Sequence, residues 1–371
     1  MKISIAIFFL LFCSAAFAQQ DQTVTIVSGG IQRTFDVHLP PAKPQNMPVL
    51  FAYHGTGGTS AGMAATSKFN DLADKNSFIA VYPQAVQIGG DIQWNVFVDD
   101  KPGHAGVGDD KAPDDVQFTH DMIDKLAADY SIDRKRVYAS GLSNGGFMCY
   151  ALAFFAYNDI AAIAPVAGNL WGDNDYITKL YKDPAITPIP VMHVHGTADG
   201  TVDYPDPDNT PVDYGEYPLW VVSRGCGATT YTNVVPIMAN VDKLVFCPPP
   251  VEVSLIRIKG MDHSWSNGVY PTSQEIVKFF GLNQVQAAVT PQSESHSLQV
   301  LSSVADRSVE IILKNPAQVE ILNSIGEVVY AARQIQGSSQ IPTQSLSSGI
   351  YFLKASTSSG EITVEKVLVH H

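Results

Sequence analysis

A G-x-S-x-G run, Gly141-Leu142-Ser143-Asn144-Gly145, lies within "RVYASGLSNGGFMCY". This is the pattern of a hydroxyl nucleophile raised on a tight turn, provided that a strand precedes it and a helix follows. A serine hydroxyl needs a base, and the base needs a carboxylate to orient its ring. His263, in "IKGMDHSWSNG", is the candidate base, because it sits in a loop between a strand-like run and the final helical pattern. Asp199, in "HGTADGTVDY", is the candidate orienting carboxylate, with Asp203 four residues later as the alternative. The other histidines read differently. His38, His104 and His120 fit structural or surface roles. His193 and His195 alternate with apolar residues in "VMHVHG" and fit polar packing or loop support from one face of a strand.

Nucleophilic attack on a carbonyl also needs donors for the developing oxyanion. The backbone N–H of Asn144, directly after Ser143, is one candidate. The other is the N–H of Thr56 in "YHGTGGT", where Gly55, Gly57 and Gly58 let the chain pass close to a substrate and His54 fixes the loop. Trp94 and Trp171 are candidates for a substrate pocket or for the core. Trp265, two residues after His263, is read as a wedge for its loop, with the pocket as a second use. The order Ser143, Asp199, His263 is that of an α/β-hydrolase, whereas chymotrypsin-like and subtilisin-like proteases order the three residues differently.

No cofactor is required by this chemistry. The glycine-rich run has neither the G-x-G-x-x-G pattern nor a Walker lysine. The aspartates around Asp109–Asp115 and Asp206–Asp213 do not match a twelve-residue calcium loop and read as solvated loops. The cysteines lack zinc or iron–sulfur spacing, so no metal is expected. The net charge is -13 with no Lys/Arg cluster, which excludes a nucleic-acid partner.

These residues need a scaffold that presents several loops at one edge. From Thr23 to about Leu282 strand-like runs ("RTFDVHLP", "MPVLFAYHG", "FIAVYP", "RVYAS", "IAAIAPVAG", "IPVMHVHG", "VSLIRIKG") alternate with helical ones. The helical runs are "MAATSKFNDLADKN", "DVQFTHDMIDKLAADYSI", the segment from about Gly145, "YPLWVVSRGC" and "TSQEIVKFFGL", the last capped by Thr272 or Ser273. Such alternation predicts a mostly parallel sheet covered on both faces, in the α/β class. Residues 283–297 read as a polar linker, and residues 298–371 as a small antiparallel β-sandwich without a helix.

Residues 1–18 read as a signal peptide ending at "AFA", so the mature chain is expected outside the cytoplasm, where disulfides form. Cys13 falls within that segment. Of the remaining thiols, Cys149 lies on an apolar helix and reads as a packed small hydrophobe. Cys226 and Cys247 are the candidate pair.

The motifs "FAYHGTGG", "AVYPQ", "SIDRKRVYASGLSNGGFM", "AAIAPVAG", "HGTADGTVDY" and "GMDHSW" resemble those of secreted esterases grouped with polyhydroxybutyrate depolymerases, feruloyl esterases and acetylxylan esterases. The resemblance spans roughly Thr23 to Leu282. It implies an α/β-hydrolase fold, the triad Ser143–Asp199–His263, oxyanion-hole amides from Thr56 and Asn144, and a Cys226–Cys247 disulfide. The chain departs from the family pattern at two places: many members have cysteine at the position of Thr56, and often W-P-G where this chain has "SWSNG". The expected substrate is a feruloyl or acetyl ester of a plant polysaccharide, with a polyester next. A serine peptidase and a non-catalytic binding protein are the rival classes. Separately, "VEILNSIGEVVYAARQ" and "IPTQSLSSGIYFLKASTSSGEITVEKVLV", with Lys366 in the final strand, resemble the C-terminal sorting domain of type IX secretion. That resemblance implies outer-membrane export machinery as a partner and a secreted or cell-surface location.

Overall fold

The computed structural model describes residues 21–41, 44–100, 112–206, 226, 231–266, 268–283, 298–300, 304–305, 308–323, 327–357 and 362–369. The chain divides into two compact units, Met1–Ala288 and Val289–His371. The expected signal peptide, most of the expected linker, the helical reading of "YPLWVVSRGC", and His104, His296, His370 and His371 lie outside the described residues, apart from Cys226 and Asn283. Residues 109–111 and 207–213 of the two aspartate-rich stretches also lie outside them; within the first, Asp115 is not solvated but buried and paired with Arg33 at 2.6 Å, and Asp114 caps the following helix.

The first unit is built on a ten-stranded sheet. Its strands are β1 (Asp21–Ser28), β2 (Ile31–His38), β3 (Met47–Tyr53), β4 (Ile79–Pro83), β7 (Ile132–Leu142), β8 (Ala162–Val166), β9 (Val191–Gly196), β10 (Asn233–Met238), β11 (Val241–Cys247) and β12 (Val253–Ile258). They lie in the order β1-β2-β4-β3-β7-β8-β9-β12-β11-β10. The six central strands β4-β3-β7-β8-β9-β12 are mutually parallel. The β1–β2 and β10–β11 hairpins continue the sheet antiparallel at either edge. A separate two-stranded hairpin joins β5 (Val86–Ile88) to β6 (Asp91–Gln93).

The central strands are buried on both faces, so alternate residues feed two cores. In β3, Val49, Phe51 and Tyr53 face one core with Phe118, Met122 and Leu152. Leu50 and Ala52 face the other core with Met63, Phe69, Ile276 and Phe280. Each large side chain so buried contributes about 1.5–3 kcal/mol of apolar transfer. The first core lies beneath α3 (Asp115–Asp129), α4 (Asn144–Phe155) and α5 (Asn174–Lys182), the second beneath α1 (Ser60–Ser67), α2 (Phe69–Asn76) and α6 (Thr272–Phe279). This is the doubly covered, mostly parallel sheet of the α/β-hydrolase fold. Among the described residues no helix is long and apolar enough to cross a membrane.

Two local readings are corrected. The single helix expected over "MAATSKFNDLADKN" is two helices, because Lys68 adopts φ 52° and its N–H closes on Ala64 O. The break turns Phe69 into the core at 0% exposure. Neither Thr272 nor Ser273 caps α6; Pro271 occupies the cap position without a side-chain bond. Ser273 Oγ instead donates to Ser67 O at 2.6 Å and accepts from Trp265 Nε1 at 2.9 Å.

The second unit is a six-stranded sheet of β13 (Leu298–Val300), β14 (Val304–Ala305), β15 (Ser308–Leu322), β16 (Val328–Pro342), β17 (Gly349–Thr357) and β18 (Ile362–Val369). Its pairs are antiparallel except the short β14–β18 pair, which is parallel. Val309, Ile311, Val319, Leu353 and Val367 form a core of its own.

Candidate active site

Parallel strands end on the same side of a sheet, so the loops after β3, β7, β8, β9 and β12 converge at one edge. The carboxyl end of β7 delivers Ser143, which caps α4 with φ 56° and ψ -122°. Left-handed backbone is costly for a residue with a side chain, so it marks a turn that the surroundings enforce. Ser143 N donates to Val166 O at 2.9 Å, and Ser143 O accepts from Gly146 N and Phe147 N, which pins the turn between β8 and the first turn of α4. The close approach depends on glycine. A Cβ on Gly145 would lie 2.1 Å from Tyr53 O, and one on Gly141 would lie 2.3 Å from Gly145 O.

The loop after β3 passes beside this turn. A Cβ on Gly55 would sit 3.2 Å from Ser143 Cβ and 3.8 Å from its Oγ. Thr56, Ser143 and Asn144 together line a cleft of about 410 Å³. The Thr56 and Asn144 amide N–H groups donate to no described residue. His54 holds the loop from beneath. Its Nδ1 bonds Gly55 O at 2.7 Å, and its Nε2 accepts from Ala85 N at 3.1 Å and Gln84 Nε2 at 3.2 Å. These partners require a neutral ring with the proton on Nδ1. Burial pushes the His54 pKa down, against a smaller opposing effect of the Gly55 carbonyl.

Asp199 follows β9 and His263 follows β12, and His263 Nδ1 bonds Asp199 Oδ2 at 2.8 Å across 64 residues of sequence. Asp199 Oδ1 accepts from Thr201 N and Val202 N, both at 2.9 Å. Burial acts to raise the Asp199 pKa. Hydrogen bonds from His195, His263, Val202 and Thr201 outweigh it and hold the carboxyl far below the usual carboxylate range. Asp203 does not approach His263 in this way. It lines the cleft, and its carbonyl accepts from Asn169 Nδ2 at 3.2 Å. Ser143 Oγ has no hydrogen-bond partner among the described residues, His263 included.

The tryptophans separate. Trp171 is 39% exposed, lines the cleft, and stands edge-on to Phe97 at 5.0 Å. Trp94 does not line the cleft: it is fully buried between Tyr53 and His54, and its Nε1 donates to His54 O at 2.8 Å. Trp265 is buried against Phe69 and bonded to Ser273, which makes it the wedge beneath the His263 loop. Cys226 and Cys247 form a disulfide, and Cys149 is free and buried. Among the described residues no group of three His, Cys, Asp or Glu side chains could hold a metal.

The Asn144 side chain accepts from Trp94 N at 2.6 Å, tying the β6 loop to the nucleophile turn. Sequence reasoning missed other participants. Gln93, Val96, Phe147, Asn169 and Leu170 complete the cleft wall. His195 supports the loop after β9, as its sequence position suggests, but the group it reaches there is the triad carboxylate: His195 Nε2 lies 3.1 Å from Asp199 Oδ2. The available signal was the four-residue spacing from His195 to Asp199 across a tight loop.

Residues 33–205 match the family described as "Esterase PHB depolymerase", and residues 305–370 match "Secretion system C-terminal sorting domain". The latter match supports export to the cell surface or medium. The NocK protein of Nocardia uniformis subsp. tsuyamanensis, assigned as an esterase, is 30% identical over 69% of this chain and 78% of its own length. A bifunctional acetylxylan esterase/xylanase of Neocallimastix patriciarum is 28% identical over 64% of this chain, which spans 32% of that relative's length. Among solved structures, an acetyl xylan esterase from Aspergillus awamori superposes with a TM-score of 0.55 over 70% of this chain and 99% of its own, at 15% identity, a likeness of fold. With 30% identity across most of NocK and a family match that contains the nucleophile turn, the chain belongs to the polyhydroxybutyrate depolymerase family of esterases.

Proposed function

We propose that this protein hydrolyses carboxylic esters through a covalent acyl-enzyme on Ser143. The observation that carries the reading is Ser143 itself, held at positive φ between β7 and α4 on the wall of the cleft. His263 takes the Ser143 proton as the hydroxyl attacks the ester carbonyl, and Asp199 orients the imidazole and stabilises its charged form. The Ser143–His263 contact closes as substrate binds, as catalytic hydrogen bonds do in many hydrolases. The Thr56 and Asn144 amides receive the oxyanion. His263 then protonates the leaving alcohol and activates the water that releases the acid. No step needs a metal or organic cofactor.

The favoured substrate is a feruloyl or acetyl ester of a plant polysaccharide. The cleft supports it by mixing apolar walls (Val96, Phe147, Leu170, Trp171) with polar groups (Gln93, Asn169, Asp203). Such a lining suits an apolar acyl group joined to a hydroxylated alcohol. A polyester such as polyhydroxybutyrate is the second reading, favoured by the name of the matched family. Turnover of matched feruloyl, acetyl and hydroxybutyrate esters separates the two. In the same assay Ser143→Ala should remain folded and lose about 10³-fold or more in kcat. Near-parental kcat would remove the serine mechanism.

The C-terminal unit is read as an export signal recognised by type IX secretion machinery, in keeping with the sorting-domain match. Ending the chain after Leu282 should leave kcat and KM on a small ester unchanged, while in the native host the enzyme stays in the periplasm. Normal release of the truncated enzyme would remove the sorting role.

A further inference from the structure

Three buried side chains form a continuous hydrogen-bonded row that ends on Asp199 Oδ2, the oxygen that also bonds His263. Tyr150 OH lies 2.7 Å from His193 Nδ1, His193 Nε2 lies 2.8 Å from His195 Nδ1, and His195 Nε2 lies 3.1 Å from Asp199 Oδ2. Tyr150 and His195 are 0% exposed and His193 is 2% exposed. The two imidazoles meet edge to edge, their centroids 5.1 Å apart and their planes within 11° of parallel. Their positions follow from β9, where residues two apart share a face. Tyr150 comes from α4, the helix that begins directly after Ser143.

Hydrogen-bond valence gives the row a direction. His195 Nε2 also lies 3.0 Å from Val202 O, which can only accept. That nitrogen therefore carries a proton, shared between the carbonyl and the carboxylate. If His195 is neutral, its Nδ1 is an acceptor and His193 Nε2 is the donor. The remaining lone pair, on His193 Nδ1, accepts from the Tyr150 hydroxyl. Every donor in the row then points toward Asp199. The reversed arrangement would leave the Tyr150 O–H without an acceptor among the described residues, at a cost of about 1–3 kcal/mol for a buried donor. Burial pushes the His193 pKa well below its ordinary value, in keeping with a neutral ring.

The row also completes the carboxylate. An ionised carboxylate offers about four acceptor directions. Here they are filled by His263, His195, Thr201 and Val202. With only the two backbone donors and His263, the Oδ2 atom could shift around its single side-chain donor. Aromatic or aliphatic side chains would fill this face of the sheet without burying polar groups, so packing alone does not account for two histidines and a tyrosine.

We propose that Tyr150, His193 and His195 are positioning residues: a one-way hydrogen-bond row that locks the Asp199 carboxylate, and through it the His263 ring, relative to the helix that begins at Ser143. This inference rests on the ester-hydrolase reading of Ser143, Asp199 and His263. Hydrogen bonds in a row polarise one another, so the effect of the distal hydroxyl reaches the carboxylate through both rings.

The test compares two substitutions at one site in the full chain. His195→Phe keeps a planar aromatic ring, slightly larger, and removes the donor. His195→Gln places an amide N–H near the position of Nε2. With a chromogenic ester, His195→Phe should lower kcat about 10–100-fold, the scale of a misplaced catalytic group, with KM changed less than about threefold. His195→Gln should recover most of that loss. Tyr150→Phe, the mildest change, should lower kcat about two- to fivefold and move the downfield imidazole N–H proton resonances, because the row loses its terminal donor. Parental kcat in folded His195→Phe would overturn the proposal, as would equal loss in the Phe and Gln variants. Should neither His195 variant fold, parental kcat and unchanged resonances in Tyr150→Phe overturn it. Ser143→Ala separates the two readings. If it retains activity the triad fails, whereas an inactive Ser143→Ala beside a fully active His195→Phe removes the positioning row alone.

Discussion

Replacing Asp199 by Asn probes the site with the smallest possible change of shape. The carboxylate accepts four hydrogen bonds: from His263 Nδ1 and His195 Nε2 on one oxygen, and from Thr201 N and Val202 N on the other. An asparagine has one acceptor oxygen and one donor amine in their place. With the amine toward Thr201 and Val202, it faces two fixed backbone donors. With the amine toward His263, it forces Nδ1 to accept, which puts the ring proton on Nε2, where the serine proton must go. Backbone N–H groups cannot change sign and the His263 imidazole can, while His195 Nε2 keeps its proton on Val202 O, so the second arrangement wins. The base is then held in the wrong tautomer. The expected fall in kcat is about 10³–10⁴-fold, the scale seen for the equivalent change in a serine-protease triad. At 1.36 kcal/mol per tenfold, that is about 4–5.5 kcal/mol of transition-state stabilisation. KM should change little, because the carboxylate does not line the cleft. Steady-state turnover of a chromogenic ester, with circular dichroism to establish folding, measures this directly. Asp203→Asn is the control for kcat: Asp203 lines the cleft whereas the His263 ring bonds Asp199, so kcat should stay within about threefold of the parent, far from the cost of losing a triad member, and any larger effect should fall on KM. A folded Asp199→Asn enzyme within tenfold of parental kcat would refute the reasoning, and so would an Asp203→Asn enzyme as damaged as Asp199→Asn.

Reducing the Cys226–Cys247 bond, which closes 21 residues of sequence onto the end of β11, should lower unfolding free energy by about 2–4 kcal/mol. Urea denaturation with and without reductant checks this, and equal midpoints would contradict it. Cys149, whose thiol pKa is pushed well up by burial, should resist alkylation in the native protein, with labelling appearing only on unfolding. Stability should also fall on mild acidification. His193 and His54 are held neutral in the fold, with pKa values pushed below the ordinary one chiefly by burial. The unfolded chain takes up their protons below about pH 6.5, so the stability present above that pH is lost as pH falls toward the depressed folded values. The slope should reach about 1.4 kcal/mol per pH unit for each ring involved. Proton uptake on unfolding at pH 5.5, from calorimetry in buffers of different ionisation heat, should be at least about one per molecule. Zero uptake would refute the neutral assignment.

The sequence by itself determined the elements that local chemistry controls. Apolar runs such as "MPVLFAYHG" and "IPVMHVHG" specify strands buried on both faces, because an alternating pattern would leave one face wet. The G-x-S-x-G turn after "RVYAS" specifies a nucleophile elbow, because glycine at positions 141 and 145 removes the Cβ atoms that would collide with Tyr53 O and Gly145 O. Even the chain order of Ser143, Asp199 and His263 is a sequence property. What the tertiary structure alone decided depends on side chains from distant segments meeting. Trp94 and Trp171 look alike in sequence as aromatic residues beside loops, yet one is sealed beneath the His54 loop and the other faces the cleft. The helix expected across Lys68 breaks at that residue's left-handed backbone, and the break is what buries Phe69 in the core, a tertiary contact that no local propensity records. His193 and His195 gain their meaning only when α4 brings Tyr150 to one end of the pair and the turn after β9 brings Asp199 to the other. Period-two spacing placed the two rings on one face; which groups they would bond was set by the packing of a helix more than forty residues earlier in the chain.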